Sequence, residues 1–158
     1  MPDLDLDKGG RIPQSNRTYL GPTKGWVLTD QPTDIEFVLD GAGGAPLVGN
    51  RGYLLIPQWV QVVGWVLCAD RVGSIVVNVW KLPLTTVLAG TVPSAANSIC
   101  GTDLPTLASQ SSAQSLALTG WTINIDQNDI LCFNINSVSV VTQVTLILQC
   151  VRLKGTGQ

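Results

Sequence analysis

The sequence contains no histidine, and Glu36 is its only glutamate. Without histidine there can be no Ser–His or Cys–His catalytic pair and no histidine ligand for a zinc ion. Charged residues make up only 13% of the chain, against roughly 25% in an ordinary soluble domain. The sequence therefore predicts no catalytic residue, no cofactor and no metal site, and we expect a protein that is not an enzyme.

The scarce charges also argue against two classes of partner. Nine Lys and Arg residues against eleven Asp and Glu residues give a net charge of −2, and no basic run is present, so we expect no nucleic acid partner. No apolar run approaches the roughly 18 residues that a transmembrane helix needs, and the N-terminus lacks the apolar segment of a secretory signal. We therefore expect no membrane association, and folding in the cytoplasm of the producing cell.

The four cysteines do not follow a zinc-binding spacing. Three of them, Cys68, Cys132 and Cys150, lie within apolar runs that are typical of strands. In a reducing compartment such residues behave as small buried hydrophobic side chains. We predict that role for all three, and not a disulfide network.

Residues 1–34 are rich in proline, glycine and charge and show no sustained period of 2 or 3.6, so they cannot close a core of their own. They are interpreted either as a disordered leader or as an extended arm that becomes ordered against a neighbouring subunit. We favour the arm, because a purely flexible tail rarely carries Tyr and Trp. The predicted anchors to a shell or to neighbouring subunits are Leu4, Leu6, Ile12, Tyr19, Leu20 and Trp26.

Residues 35–158 show strand patterns throughout, with apolar side chains alternating in period 2. Val62–Ala69 and Ser74–Lys81 are predicted to form a hairpin around an Asp70–Gly73 turn. A long proline-punctuated stretch, residues 82–115, interrupts the pattern. It is expected to hold short irregular strands or one helical turn, and it ends in a low-complexity surface segment. About eight strands and no convincing helix predict an all-β fold, an antiparallel β-sandwich of jelly-roll type.

The longest strand candidate places Val144, Leu146 and Leu148 on one face. Ile147 and Val151 lie on the opposite face, where exposed apolar side chains predict further burial against a second copy of the chain. Trp59 follows Pro57-Gln58 at a strand break and is the tryptophan least typical of a core. Trp59, Trp65, Trp80 and Trp121 could each stack on a glycan, with Trp59 the preferred candidate, although tryptophans more often fill a core or a subunit seam.

Seven blocks of sequence, taken in order, resemble a β-domain common in the structural proteins of tailed bacteriophages, often found at the C-terminus of tail fibres. The resemblance implies a β-sandwich, a homotrimer and a role in the virion, and it makes Ile147 and Val151 the candidate trimer seam. The blocks are Ile35–Gly44, Gly52–Pro57, Gly64–Asp70, Gly73–Lys81, Leu118–Trp121, Asp129–Ile135 and Val144–Leu148.

The resemblance leaves two functions open. A leader of some 34 residues is too short for a fibre shaft, which favours a capsid cement or decoration protein that trimerises and stabilises the shell through its N-terminal arm. Its partners would be further copies of itself and the major capsid protein or other virion proteins, on a capsid assembled in the bacterial cytoplasm. The alternative is a short tail-fibre, tail-tip or head-fibre protein that binds a host glycan receptor.

Overall fold

The computed structural model describes the backbone of residues 17–19 and 26–28, and residues 32–153 in full. The chain divides into two compact units, Met1–Gln31 and Pro32–Gln158. In the first unit, strands β1 (Arg17–Tyr19) and β2 (Trp26–Leu28) form a two-stranded antiparallel sheet in which Tyr19 lies opposite Trp26. The remaining predicted arm anchors lie outside the described residues: Leu4, Leu6, Ile12 and Leu20.

The second unit is a seven-stranded antiparallel sheet with the order β3-β9-β5-β8-β4, in which β6 and β7 also pair with β5. The predicted all-β antiparallel fold is confirmed. A short helix α1 (Leu84–Leu88) and a 3-10 turn (Ala95–Asn97) follow β5. The strands are β3 (Ile35–Asp40), β4 (Gly49–Leu55), β5 (Val60–Pro83), β6 (Thr106–Ser115), β7 (Asn124–Ile125), β8 (Asp129–Ser139) and β9 (Gln143–Arg152).

Strand β5 runs without interruption for 24 residues, so the predicted hairpin around Asp70–Gly73 is wrong. Its first half pairs with β9, up to Ala69 opposite Val144, and its second half pairs with β8, from Ser74 opposite Ser139. Strand β6 pairs with both halves and shifts register between Cys68 and Gly73. Residues 70–73 therefore form a bend within one strand. Strand β5 does not end there, because it is paired with β9 before the bend, with β8 after it and with β6 in both parts.

The bend in β5 folds the sheet so that its two halves face each other as a half-barrel. One half consists of β3, β9 and the first part of β5, and the other consists of the second part of β5, β8 and β4. Phe37 of β3 stacks on Phe133 of β8 with ring centroids 4.1 Å apart and planes 12° from parallel. This contact spans the two halves, and the core between them is almost entirely aliphatic.

The period-2 pattern of β9 sets which side faces the core. Val144, Leu146, Leu148 and Cys150 are all buried, as predicted from their alternation. The intervening residues, including Ile147 and Val151, are exposed or half-buried on the outer face.

The expectation of short strands or one helical turn in residues 82–115 is partly confirmed, since α1 has five residues, but β6 is a regular strand of ten residues. Beyond α1 and the 3-10 turn, the low-complexity segment Ser109–Ser115 belongs to β6, with mostly exposed side chains. The backbone of β6 bonds to β5, and that pairing does not require apolar side chains. Because the periodicity signal depends on apolar side chains, it is absent here.

Phe133→Ala is expected to lower the free energy of unfolding by about 3–5 kcal/mol, because it removes a fully buried ring and the contact between the two halves. Urea unfolding followed by far-UV circular dichroism measures the change. Leu88→Ala, on exposed α1, is the control and should change stability by no more than about 0.5 kcal/mol. Equal effects of the two substitutions would contradict the assigned core.

Candidate interaction surfaces

The outer side of β3, β9 and the first half of β5 forms a surface that we call the β9 face, defined by Val38, Val66, Thr145, Ile147 and Val151. Ile147 lies at its centre, opposite Glu36 on one side and Val66 on the other. Val38 is 52% exposed, whereas Val66, Ile147 and Val151 are half-buried. Both predicted seam residues therefore lie on one face of a three-stranded region, with Gln149 between them in β9 and Gln61 opposite Val151.

The half-barrel is open between its two edge strands, β3 and β4, which among the described residues pair only with β9 and β8 respectively. At one end the strands nearly touch, since a Cβ on Gly52 would lie 2.8 Å from Cζ of Phe37. At the other end they leave a cleft of about 380 Å³, lined by residues 33–36, 54–58 and 60. This open edge was not predicted from sequence, because it depends on which strands lack a neighbour.

The outer side of β4, β8 and the second half of β5 carries a second surface, the aromatic face, defined by Tyr53, Leu55, Trp80, Leu82 and Ile130. Tyr53 and Trp80 lie on either side of Cys132 in the paired strands. Tyr53 is 50% exposed, and its hydroxyl accepts a hydrogen bond of 2.7 Å from Nδ2 of Asn50. None of the five residues is charged, so a ligand could cover this face without desolvating an ion.

Asp70 clamps the bend of β5 to the turn between β8 and β9. Its Oδ1 accepts hydrogen bonds from the backbone N–H of Thr142 (2.9 Å) and of Gln143 (3.0 Å), and its Oδ2 accepts from Oγ1 of Thr142. The bond from the Thr142 hydroxyl, followed by the two backbone bonds and that from Arg71, holds the pKa of Asp70 well below its ordinary value. The sequence identified this aspartate as a turn residue but gave no sign of its distant partners.

The remaining predicted site residue in the second unit is Trp59. It is 39% exposed, and its carbonyl accepts a hydrogen bond of 2.9 Å from the backbone of Leu153. It lies next to the start of β5, away from the pair Tyr53 and Trp80 in the strand register. Trp80 is one of the tryptophans considered for glycan stacking from sequence, whereas Tyr53 was not predicted as a site residue, because no local pattern showed that it would share a face with Trp80.

All four cysteines are free, and three of them are buried. Burial raises the pKa of Cys100 and of Cys150 to about 12 and that of Cys132 to about 11. The burial predicted for Cys132 and Cys150 is confirmed, but the prediction for Cys68 is wrong, since its side chain is exposed. Cys68 lies opposite Thr145 on the outer side of the sheet. An apolar run of sequence does not show which of its residues face the outer side.

Within residues 32–153, no three His, Cys, Asp or Glu side chains come together in an arrangement that could hold a metal ion. The described part of the chain also has no helix of the length and apolarity that crossing a membrane requires. Comparisons with protein-family models, curated proteins and solved structures gave no match to this chain.

Asp70→Asn is expected to lower the melting temperature at neutral pH and to flatten its dependence on acid. Because the folded-state pKa is lowered, the contribution of Asp70 is complete above the unfolded-state pKa near 3.8 and is lost as pH falls through the folded-state value. Thermal unfolding between pH 7 and pH 2 measures both effects.

Asp126→Asn, in an exposed turn, is the control for that experiment. If Asp70→Asn and Asp126→Asn gave the same melting temperature at every pH, the clamp would contribute nothing to the stability of the bend.

Proposed function

We propose that this protein is a structural, self-associating component of a bacteriophage virion and, within that class, a capsid cement or decoration protein. The observation that carries the proposal is the β9 face, where the two residues expected at a trimer seam share one outer side of the sheet with the apolar side chains of Val38 and Val66. The proposal also rests on the resemblance of residues 35–151 to phage structural β-domains.

The β9 face suits association because covering its apolar side chains removes them from water while few charged groups need to be desolvated. Burial of apolar surface contributes roughly 25 cal/mol per Å², and a stable interface covers about 800 Å² on each partner. Glu36 and Asp40 are exposed and lie on the β3 border of the face. Carboxylates at a border can remain hydrated while Ile147 and Val66 become covered.

The arm would supply the second part of the function. Among the described residues, the core of the second unit is built from side chains between Ile35 and Cys150. In the proposed mechanism each arm binds neighbouring shell subunits through some of its anchors, and three arms acting together provide avidity. The shell is then stabilised by many contacts, each of them weak.

Ile147→Lys is expected to weaken self-association at least tenfold, because it places a charge at the centre of the β9 face where a partner would desolvate it. Light scattering coupled to size-exclusion chromatography measures the mass across a range of concentrations. Leu88→Lys makes the same change on exposed α1 and should leave the mass unaltered. An Ile147→Lys protein with the mass of the wild type would exclude the β9 face as the seam.

The role on the capsid is tested with particles of the phage that encodes the chain. A cement protein should appear on gels of purified virions at a level comparable to the major capsid protein, whereas a tail protein would be scarce. A protein lacking residues 1–16 keeps β1 and β2 and should remain folded and associated, but it should no longer coat the particles. Normal coating by the truncated protein would rule out the arm as the shell-binding part.

A second candidate, a tail-fibre, tail-tip or head-fibre protein that binds a host glycan, is favoured by the aromatic face. Aromatic rings stack on sugars, and Tyr53 and Trp80 lie on either side of Cys132 on this face. This candidate predicts that the purified protein binds intact host cells and that Tyr53→Ala abolishes this binding. Trp59→Ala tests the aromatic residue predicted from sequence in the same assay.

A further inference from the structure

We propose that the open edge of β3 accepts the two-stranded sheet β1–β2 of a second copy, so that each subunit adds strands to its neighbour. This inference rests on the proposed self-association and identifies where the arm binds within the assembly. The recognition would use backbone hydrogen bonds, as in other cases of strand addition to a sheet edge.

The backbone of β3 has a paired side and an open side. The N–H of Thr33 donates to the carbonyl of Cys150 (2.8 Å), and the N–H of Gly41 donates to the carbonyl of Thr142 (2.9 Å). Because backbone groups along a strand alternate in direction, residues 33, 35, 37, 39 and 41 face β9. The N–H and C=O groups of Asp34, Glu36 and Val38 therefore point to the open side.

The cleft leaves room for an added strand at only one end of this edge. It is lined on one side by Asp34, Ile35 and Glu36, and on the other by the end of β4 and Pro57. Pro57 has no N–H to donate, and Ile56 is already bonded to the turn before β8. An incoming strand would therefore pair with β3 and not with β4, and it would place apolar side chains in the cleft.

The sheet β1–β2 has the length and the charge that this edge requires. Each of its strands has three residues, a length comparable to the four residues, 33–36, that line the cleft on the β3 side. Residues 17–28 contain Arg17 and Lys24 and no acidic residue, whereas the edge presents the exposed carboxylate of Glu36; the Asp34 carboxylate accepts a hydrogen bond of 3.1 Å from the backbone N–H of Cys150. A two-stranded sheet is marginally stable in water, and a third strand with an apolar face stabilises it.

A second copy is the occupant that we infer, since β1–β2 and the seven-stranded sheet are separate sheets in the chain. Donation from one copy to the next uses two different surfaces of each subunit. Such a head-to-tail arrangement closes into a ring when the rotation allows, and three copies would give the expected trimer.

The test uses the full chain with three substitutions at Glu36. Glu36→Pro removes the outward N–H and keeps the pairing with β9, because proline is tolerated on an edge strand whose N–H faces away from the sheet. Glu36→Ala keeps the N–H and removes the carboxylate, and is the matched control. Glu36→Lys replaces the carboxylate with a positive charge, which would repel Arg17 and Lys24 of the incoming strands. Circular dichroism and thermal unfolding establish that each variant is folded.

Two measurements test the inference. Sedimentation gives the dissociation constant of the subunits, and fluorescence anisotropy gives the affinity of a labelled peptide spanning residues 15–30 for the protein. We expect Glu36→Pro to weaken assembly at least tenfold, Glu36→Ala to weaken it less than about threefold, and Glu36→Lys to lie between them. The peptide should bind wild type, dissociate the assembly when in excess and bind Glu36→Pro at least tenfold more weakly. This peptide result supports the inference even if one variant folds poorly.

Three outcomes would overturn the inference. The first is equal behaviour of Glu36→Pro and Glu36→Ala, and the second is a peptide that neither binds nor dissociates the assembly. The third is an assembly that Ile147→Lys disrupts and Glu36→Pro leaves unchanged. That result would support the proposed self-association through the β9 face and would reject only the strand exchange at β3. A chain that stays monomeric at every concentration would instead reject both.

Discussion

The structure depends on one constraint, the bend of β5 held against the turn between β8 and β9. Asp70 binds two backbone N–H groups of that turn, and Gly73 is packed so tightly that a Cβ would lie 2.7 Å from the carbonyl oxygen of Ser139. Any larger residue at position 73 would push the turn away from the bend. Because β5 continues through the bend, its two halves can face each other, and the stacking of Phe37 on Phe133 becomes possible.

The same bend determines which surfaces remain open. Folding one sheet onto itself buries the inner side of its strands, but it leaves two outer faces and, within the described part of the chain, two unpaired edges. The β9 face and the aromatic face are uncharged at their centres, and the acidic residues lie on the border formed by β3. A protein with few charges and uncovered apolar faces is suited to contact with other protein, and this is the physical basis of the structural role that we propose.

Much of the strand pattern could be predicted from sequence, whereas its pairing could not. The alternation of Val144, Leu146 and Leu148 correctly predicted the inner side of β9, because alternation is a local property of an extended chain. The Asp70–Gly73 segment was predicted as a turn because its residue types are common in turns. The partners that make it a bend are Thr142 and Gln143, some seventy residues further along the chain.

The sequence by itself determined the all-β class, the apolar core strands and the sparse charge, because each follows from composition or from a period of two residues. Only the tertiary structure decided that Cys68 is exposed, that Tyr53 and Trp80 share a face and that β3 has an open edge. These features depend on which strands become neighbours. The choice of neighbours is made by contacts between distant residues, and a local pattern does not encode them.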